Sequence, residues 1–416
     1  MDLVALYKRY KFWVNDFLNG SPIGEPYREV KWHAEHSAEE SYERRQNKLK
    51  NILTYAQKNT AFYGNFRSFD LSQYPVMKKK DLIEHYDDIV VQSDRIPGQK
   101  GDVYIQRTSG STGTPLKIPQ DTLKRRRRIA ELKYYGKQVG FNTHELLVHL
   151  RIWNKWQKKS LKQIRRENII PFDITEMSTE RIKELCEIIK KEKVFALRGY
   201  ASIIDALGTY LKEHPQELPS LKIIISVSES LTDETREKIK KYLKCEIISQ
   251  YANEECGIIA QELPPTSKQC NVMYFNNASY YFEVLKMDSN ESVGYGELGR
   301  IVMTDLHNYA FPIIRYDTGD VGILGAPNER SNGYPVLEKL YGRSSDLCYT
   351  VGGVPFSSML LSRTFKHFDE LVQWQFIQKT EKDYLLKVIL RLKVNPEEYL
   401  KEGIIELKKC LGGVIL

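Results

Sequence analysis

The stretch Thr108-Ser-Gly-Ser-Thr-Gly-Thr114, closed by Pro115, lies between two short runs that read as strands, Val103 to Arg107 and Leu116 to Pro119. Two of its seven residues are glycines and the others all carry hydroxyls. Glycine lets a backbone take φ > 0, so that successive N–H groups can line a concavity, and the hydroxyls add further donors; together they suit a phosphate. This is not a Walker loop, because Pro115 and a strand pattern follow where a lysine and a helix would be needed. On composition alone, a flexible hairpin tip fits the same residues.

Working outward, Asp121 to Val139 reads as a helix with Leu123, Ile129, Leu132, Tyr135 and Val139 as its apolar positions. Its Lys124-Arg-Arg-Arg-Arg128 run reads as a solvated face, with phosphate or nucleic-acid contact as the alternative. Strands and helices then take turns. Leu146 to Leu150, Ile169 to Ile174, Val194 to Arg198, Leu221 to Val227 and Cys245 to Ser249 read as strands. Ser178 to Lys191, Ser202 to Glu213 and Thr232 to Leu243 read as helices. That alternation argues for a largely parallel sheet with helices on its faces, in which ligands bind beyond the carboxyl ends of the strands. The segments at those ends include Gly199-Tyr-Ala-Ser202, Ser228-Glu-Ser230 and Tyr251-Ala-Asn-Glu-Glu255.

From about Tyr274 the sequence becomes strand-rich, through Tyr280 to Met287 and Gly299 to Thr304, and ends in Arg315-Tyr-Asp-Thr-Gly-Asp320. Gly342-Arg343 precedes a last segment, 344 to 416, of mixed character. Upstream of the glycine loop, residues 1 to 95 read as mainly helical, with Ala38 to Tyr63 the longest candidate (Tyr42, Leu49, Ile52, Leu53 and Ala56 at helical spacing). Leu3, Leu6, Tyr10, Trp13 and Phe17 form one face of an N-terminal amphipathic helix, expected to dock on the body of the protein, with peripheral membrane association through residues 3–18 as the alternative.

Composition bounds the rest. The 416 residues, 41% of them hydrophobic, can bury more than one core. The net charge of +8 suits an anionic ligand without requiring one. Six cysteines without a Cys-x-x-Cys pair point to reduced thiols and a cytoplasmic setting, and no apolar run is long enough to span a membrane. Lys8, Arg9, Lys11 and Asp16 interrupt what would be the apolar core of a signal peptide.

Four stretches, Thr108 to Pro115, Tyr251 to Glu255, Arg315 to Asp320 and Gly342-Arg343, fall in an order that resembles the core motifs of the adenylate-forming acyl-ligase superfamily. Within it, Arg198 to Ser202, Ser226 to Thr232 and Thr304 to Tyr316 look like the phenylacetate-CoA ligase branch, including its capsule-biosynthesis relatives. The resemblance covers roughly residues 40 to 400. It implies an α/β fold with a large N-terminal domain, 1–342, of mostly parallel sheets flanked by helices. That domain would divide into a helical lead-in (1–95), an α/β core (96–273) and a β-rich subdomain (274–342), followed by a small, apparently truncated α+β domain (343–416).

The implied activity is AMP-forming acid ligation. A carboxylate attacks the α-phosphate of ATP, and the acyl-adenylate passes to a thiol, with coenzyme A a candidate, or to an amine, as the capsule branch suggests. By the resemblance, Thr108, Ser109, Ser111, Thr112 and Thr114 hold the phosphates, Glu255 holds Mg²⁺, Tyr251 stacks near adenine and Asp320 accepts the ribose hydroxyls. Arg343 contacts ribose or phosphate, and Tyr200 and Ser202 are candidates for the acyl pocket; nucleic acid is not an expected partner.

This sequence departs from the family in four places. Ala252 replaces a glycine, and Glu254 stands where a hydroxyl residue faces the α-phosphate, so that a carboxylate would repel the substrate unless it turned away or shared the metal. Ser345 replaces an acidic hinge residue, and no Pro-x-x-x-x-Gly-Lys pattern occurs near Leu416 to supply the family's terminal lysine; Lys401, Lys408 and Lys409 are poor substitutes. The alternative reading is therefore a catalytically silent homologue that binds nucleotide or acts as a scaffold.

Overall fold

The computed structural model describes residues 3–108, 116–153, 159–266, 271–344, 347–353, 355–357, 364–365, 368, 370–391 and 394–411. Ser109, Ser111, Thr112, Thr114 and Ser345 lie outside them. The chain divides into two compact units, residues 1–318 with 322–339 and residues 319–321 with 340–416.

The chain opens with helices α1 (Leu3–Leu18), α2 (Gly24–Glu35) and α3 (Ala38–Asn59), then the short α4 (Lys79–Glu84) and α5 (Tyr86–Ile89). Strands β1 (Tyr104–Arg107) and β2 (Lys117–Gln120) form an antiparallel hairpin around the glycine-rich loop, with Arg107 opposite Lys117. Helix α6 (Thr122–Gln138) follows, then β3 (Leu147–Arg151), α7 (Leu161–Glu167), β4 (Ile169–Asp173), α8 (Thr179–Lys191), β5 (Ala196–Tyr200), α9 (Ala201–Glu213), β6 (Ile223–Val227), α10 (Asp233–Tyr242) and β7 (Glu246–Asn253). The remaining strands of the sheet are β8 (Gly257–Glu262), β9 (Met273–Phe275), β10 (Tyr280–Leu285), β11 (Leu298–Asp305), β12 (Tyr316–Gly325) and β13 (Val336–Arg343). The order across the sheet is β10-β11-β12-β13-β9-β8-β7-β6-β5-β3-β4. Its β4-β3-β5-β6-β7 half is parallel, and antiparallel pairing begins at β7-β8.

The period of the strands explains the layers. Every residue of β6 is buried, and its side chains alternate between two cores. Ile224 packs with Val148, Leu150, Leu185, Leu197, Ile204 and Ile239 under α8, α9 and α10, whereas Ile223, Ile225 and Val227 pack with Val139, Leu147 and Ile248 on the other face. Close approach fixes Gly199 in β5: a Cβ there would sit 2.5 Å from Leu150 Cβ. Local caps set the helix starts. Ser37 and Glu40 form a reciprocal capping box at α3, and Ser178 and Thr232 cap α8 and α10. The second unit contains two hairpins, β14 (Leu347–Tyr349) with β15 (Pro355–Ser357) and β16 (Leu371–Gln378) with β17 (Tyr384–Leu390). Its core includes Phe365, Tyr384, Leu400, Leu407 and Leu411, the last two from the helix Lys401–Leu411.

Two helices turn out differently from the sequence reading. The body takes Ala5, Phe12, Trp13 and Asp16 of α1: Lys133 lies 3.8 Å over the Phe12 ring, Trp13 meets Tyr27 edge-on, and Asp16 accepts the N–H groups of Ile23 and Gly24. Leu3, Tyr10 and Phe17, expected to dock, are exposed instead. The reversal is sharper in α6. Of the expected apolar positions Tyr135 and Val139 are buried, but Leu123, Ile129 and Leu132 face solvent, while Lys124, Arg127 and Glu131 are buried with Ala130 and Tyr134. Lys124 Nζ lies 2.5 Å from Asp305 Oδ2, both side chains fully buried. Arg127 donates to Glu29 (2.7 Å), Ser279 Oγ (2.9 Å) and the Ala278 carbonyl (2.8 Å), and Ser279 Oγ donates to Glu131. Asp121 caps the helix through Lys124 N–H and also accepts the N–H groups of Tyr309 and Ala310. The basic run is thus only in part a solvated face: Lys124 and Arg127 are neutralised internally, because a buried cation must be paired, while Arg126 is exposed.

Removing one partner of a buried pair leaves an uncompensated charge, so Lys124→Ala is expected to destabilise the protein by about 3–5 kcal/mol, against less than about 0.5 kcal/mol for Arg126→Ala on the exposed side, read from urea midpoints. Burial, opposed by Glu29 and reinforced by Arg127, lowers His33 to about 4; burial with Lys133, Lys8 and Arg9 nearby lowers His144 to about 4. The unfolded chain therefore binds protons that the fold excludes between about pH 6.5 and 4, and stability is expected to fall as pH drops through that window. The slope of Tm against pH should flatten in a His33→Gln/His144→Gln double variant.

Candidate functional site

Parallel pairing aligns the carboxyl ends of β5, β6 and β7, with Tyr200 beside Val227 and Val227 beside Gln250. Arg151, the last residue of β3, lies on the same edge of the sheet. Beyond β7, the chain turns through Glu254 and Glu255 into β8. Asn253 closes that turn by accepting Cys256 N–H at 2.8 Å, and Gly257, at φ +119°, permits the reversal.

Glu254 is held on three sides. Gln106 of β1 donates to Oε2 at 2.5 Å, Arg151 reaches Oε1 at 3.5 Å, and Arg128 of α6 donates to the backbone carbonyl at 3.1 Å. The carboxylate that the sequence placed against a phosphate is therefore paired. Arg198 adds a further cation to this cluster and is anchored through Gln250 (2.6 Å), which donates to Gln261, itself bonded to the Tyr135 carbonyl. Burial, with Arg151 beside it, brings Arg198 down to about 10. The same surroundings keep His149 neutral: burial and then Arg198 and Arg151 push it well below its ordinary value.

Glu255 is buried. Tyr316 donates to its Oε1 at 3.3 Å, and Gln120 of β2 donates to its backbone oxygen at 3.4 Å. The two strands of the hairpin that carries the glycine-rich loop are thus each tied to one of the paired glutamates, β1 through Gln106 and β2 through Gln120. At the mouth of the loop, Thr108 N–H donates to the Leu116 carbonyl and Thr108 Oγ1 accepts Leu116 N–H at 3.0 Å. Thr108 therefore closes the hairpin. The phosphate-binding roles expected for Ser109, Ser111, Thr112 and Thr114 fall outside the described residues.

Among the other expected residues, Tyr251 is buried in β7 at an irregularity in its pairing with β8. Tyr200 is half-buried at the start of α9, and Ser202 N–H donates to Glu229 at 2.7 Å. Arg315 is fully engaged, with two bonds to Glu283 and one to the Tyr74 carbonyl, and it adopts φ +48°. Its neighbour Asp317 accepts from Arg300 at 2.7 Å. In the second unit, Asp320 and Arg343 pair at 3.6 Å, and Gly319 sits at φ +77°, a conformation that favours glycine. Sequence reasoning missed Gln106, Arg128, Arg198 and Gln250 as parts of this constellation. Arg128 was hidden by its place in a basic run, and the two glutamines carry no chemical signature of their own.

No family model matches the chain. It is 22% identical over 393 residues to the protein CapK of Staphylococcus aureus, covering 89% of this chain and 83% of that protein. It is 23% identical over 302 residues to phenylacetate-coenzyme A ligase of Thermus thermophilus, and that match spans 67% of the chain and 64% of the ligase. Among solved structures, 2-hydroxyisobutyryl-CoA ligase in its postadenylation state, bound to an acyl-AMP, superposes with a TM-score of 0.68 at 17% identity over 90% of this chain and 85% of that one. In sequence and in architecture, the chain resembles the adenylate-forming acyl-ligase superfamily and has its fold.

Proposed function

We propose that the chain activates a carboxylic acid with ATP, forming an acyl-adenylate and pyrophosphate, and then transfers the acyl group to coenzyme A or to an amine. The observation that carries this reading is the stitching of the glycine-loop hairpin to Glu254 and Glu255 at the carboxyl ends of a parallel sheet, where such sheets bind ligands. The similarity to ligases that form acyl-AMP supports it.

Mg²⁺ is commonly held by one or two carboxylates together with substrate phosphates, and a single buried glutamate fits that demand. Among the described residues no group of three or more His, Cys, Asp or Glu side chains could hold a metal by itself. Glu255 would hold the ion, which when bound neutralises phosphate charge. Glu254 does not face the substrate as a bare anion, because Gln106 and Arg151 take it up. Arg128, Arg151 and Arg198 outnumber the two carboxylates Glu254 and Glu255, an excess of positive charge that favours an anionic α-phosphate or acid. Asp320 would accept the ribose hydroxyls, and Tyr200 and Ser202 would border the acyl group.

Glu254 also favours a second reading, a nucleotide-binding homologue without turnover, since it occupies the place of a donor to the α-phosphate. ATP–pyrophosphate exchange across aryl, fatty and amino acids decides between them. Exchange with at least one acid is expected; Mg-ATP binding with no exchange for any acid, unchanged by Glu255→Gln, would select the silent homologue. In an active preparation, Glu255→Gln should reduce exchange by about 10²-fold or more, chiefly in kcat. Arg151→Ala, which removes the cation that reaches the Glu254 carboxylate, should reduce exchange by more than about tenfold.

A further inference from the structure

Helix α1 carries a continuous apolar stripe on the side turned away from the body. Leu3, Tyr7, Tyr10, Val14 and Phe17 recur at intervals of four and three, one face of a helix, with Leu18 alongside. Each is more than half exposed, from 53% at Val14 to 74% at Leu3 and Phe17. The helix does not need this face for docking, since the opposite side is anchored through Phe12, Trp13 and Asp16. Scattered exposed apolar residues need no explanation, but a contiguous row on a firmly held helix marks an interaction surface.

The charges around the stripe choose its occupant. Lys11 is exposed on the helix itself, with Nζ 5.8 Å from the Tyr7 ring. Lys8, whose Nζ donates to Asn168, and Lys133, over Phe12, belong to the docked side, but α1 as a whole carries three cations, Lys8, Arg9 and Lys11, against one carboxylate, Asp16. The neighbouring carboxylates are already engaged: Asp16 is buried on two backbone N–H groups, and Glu167 pairs with Lys159 at 2.5 Å. A second copy of this chain, itself of net charge +8, would set one basic helix against another. An anionic lipid surface would meet both the apolar stripe and the basic charge of the helix. Tyr7 and Tyr10 suit the interface further, because a tyrosine ring enters the acyl boundary while its hydroxyl stays at headgroup level.

We infer that α1 is a peripheral membrane anchor that lays Leu3, Tyr7, Tyr10, Val14 and Phe17 into the interface of an anionic bilayer. The inference is independent of the acid-activation reading. The test is co-sedimentation of the full chain with vesicles of phosphatidylcholine alone and of phosphatidylcholine mixed with phosphatidylglycerol, in low and high salt. Binding to the mixed vesicles, weakened by salt, is expected, with a loss of about tenfold or more in Tyr10→Glu/Phe17→Glu and a smaller loss in Lys11→Glu. All three substitutions are at exposed positions, and circular dichroism confirms that the variants fold. No sedimentation with mixed vesicles in low salt, or binding unaltered by Tyr10→Glu/Phe17→Glu, overturns the inference. A dimer in analytical ultracentrifugation that the same double variant dissolves, without vesicle binding, assigns the stripe to a second copy and overturns it equally.

Discussion

The buried ion pair between Lys124 and Asp305 holds together parts of the chain that are far apart in sequence. It fastens the first turn of α6 to the end of β11, and Arg127, one turn later, reaches Glu29 of α2 and the Ala278–Ser279 segment before β10. Tyr280, which receives a bond from Lys124, donates in turn to the Cys256 carbonyl beside Glu255. The candidate site thus rests on a polar network in which each buried charge has a partner, the condition under which a low-dielectric interior tolerates charge. Such a network contributes less to net stability than an apolar core of equal volume would, yet it penalises any arrangement that separates its members.

Much of the fold was legible in the sequence because it depends on short-range patterns. The alternation of apolar runs with amphipathic stretches located the strands and helices between residues 146 and 253 to within a few residues, apart from the short α7, and Ser178 and Thr232 marked helix starts because a hydroxyl cap leaves a local signature. The orientation of α6 was not legible. Its leucines and isoleucine lie on the exposed side, and its lysine and arginine on the buried side, because the partners that neutralise them come from residues 29, 279 and 305. No window along the chain contains that information. The rotation of α1 has a similar cause: Trp13, on the expected face, does meet Tyr27, but Phe12 is taken instead of Phe17 because the body presents Lys133 to it.

The candidate site divides in the same way. Glu255 could be named from the residues around it, whereas the means by which Glu254 is accommodated needed Gln106 and Arg151, 148 and 103 positions away. A glutamine that bonds a carboxylate leaves no trace in composition, and although the segment from Arg151, after a strand end, is a pocket candidate by its place, nothing in the sequence pairs it with Glu254. What distinguishes them is convergence at one sheet edge, which topology alone creates.

The packing of the basic run, with Lys124 and Arg127 buried, makes it a reporter of local opening. Lys124 to Arg128 is five consecutive trypsin-sensitive residues, the densest such target in the chain, yet α6 keeps it helical and shields Lys124 and Arg127. A protease needs an extended, accessible segment, so cleavage at this run reports opening of α6 from β11 and the network around it. The appearance of fragments divided near residue 126 is then a clock for that opening, and any ligand that tightens the turn at Glu254 and Glu255, where Arg128 is bonded, will slow it.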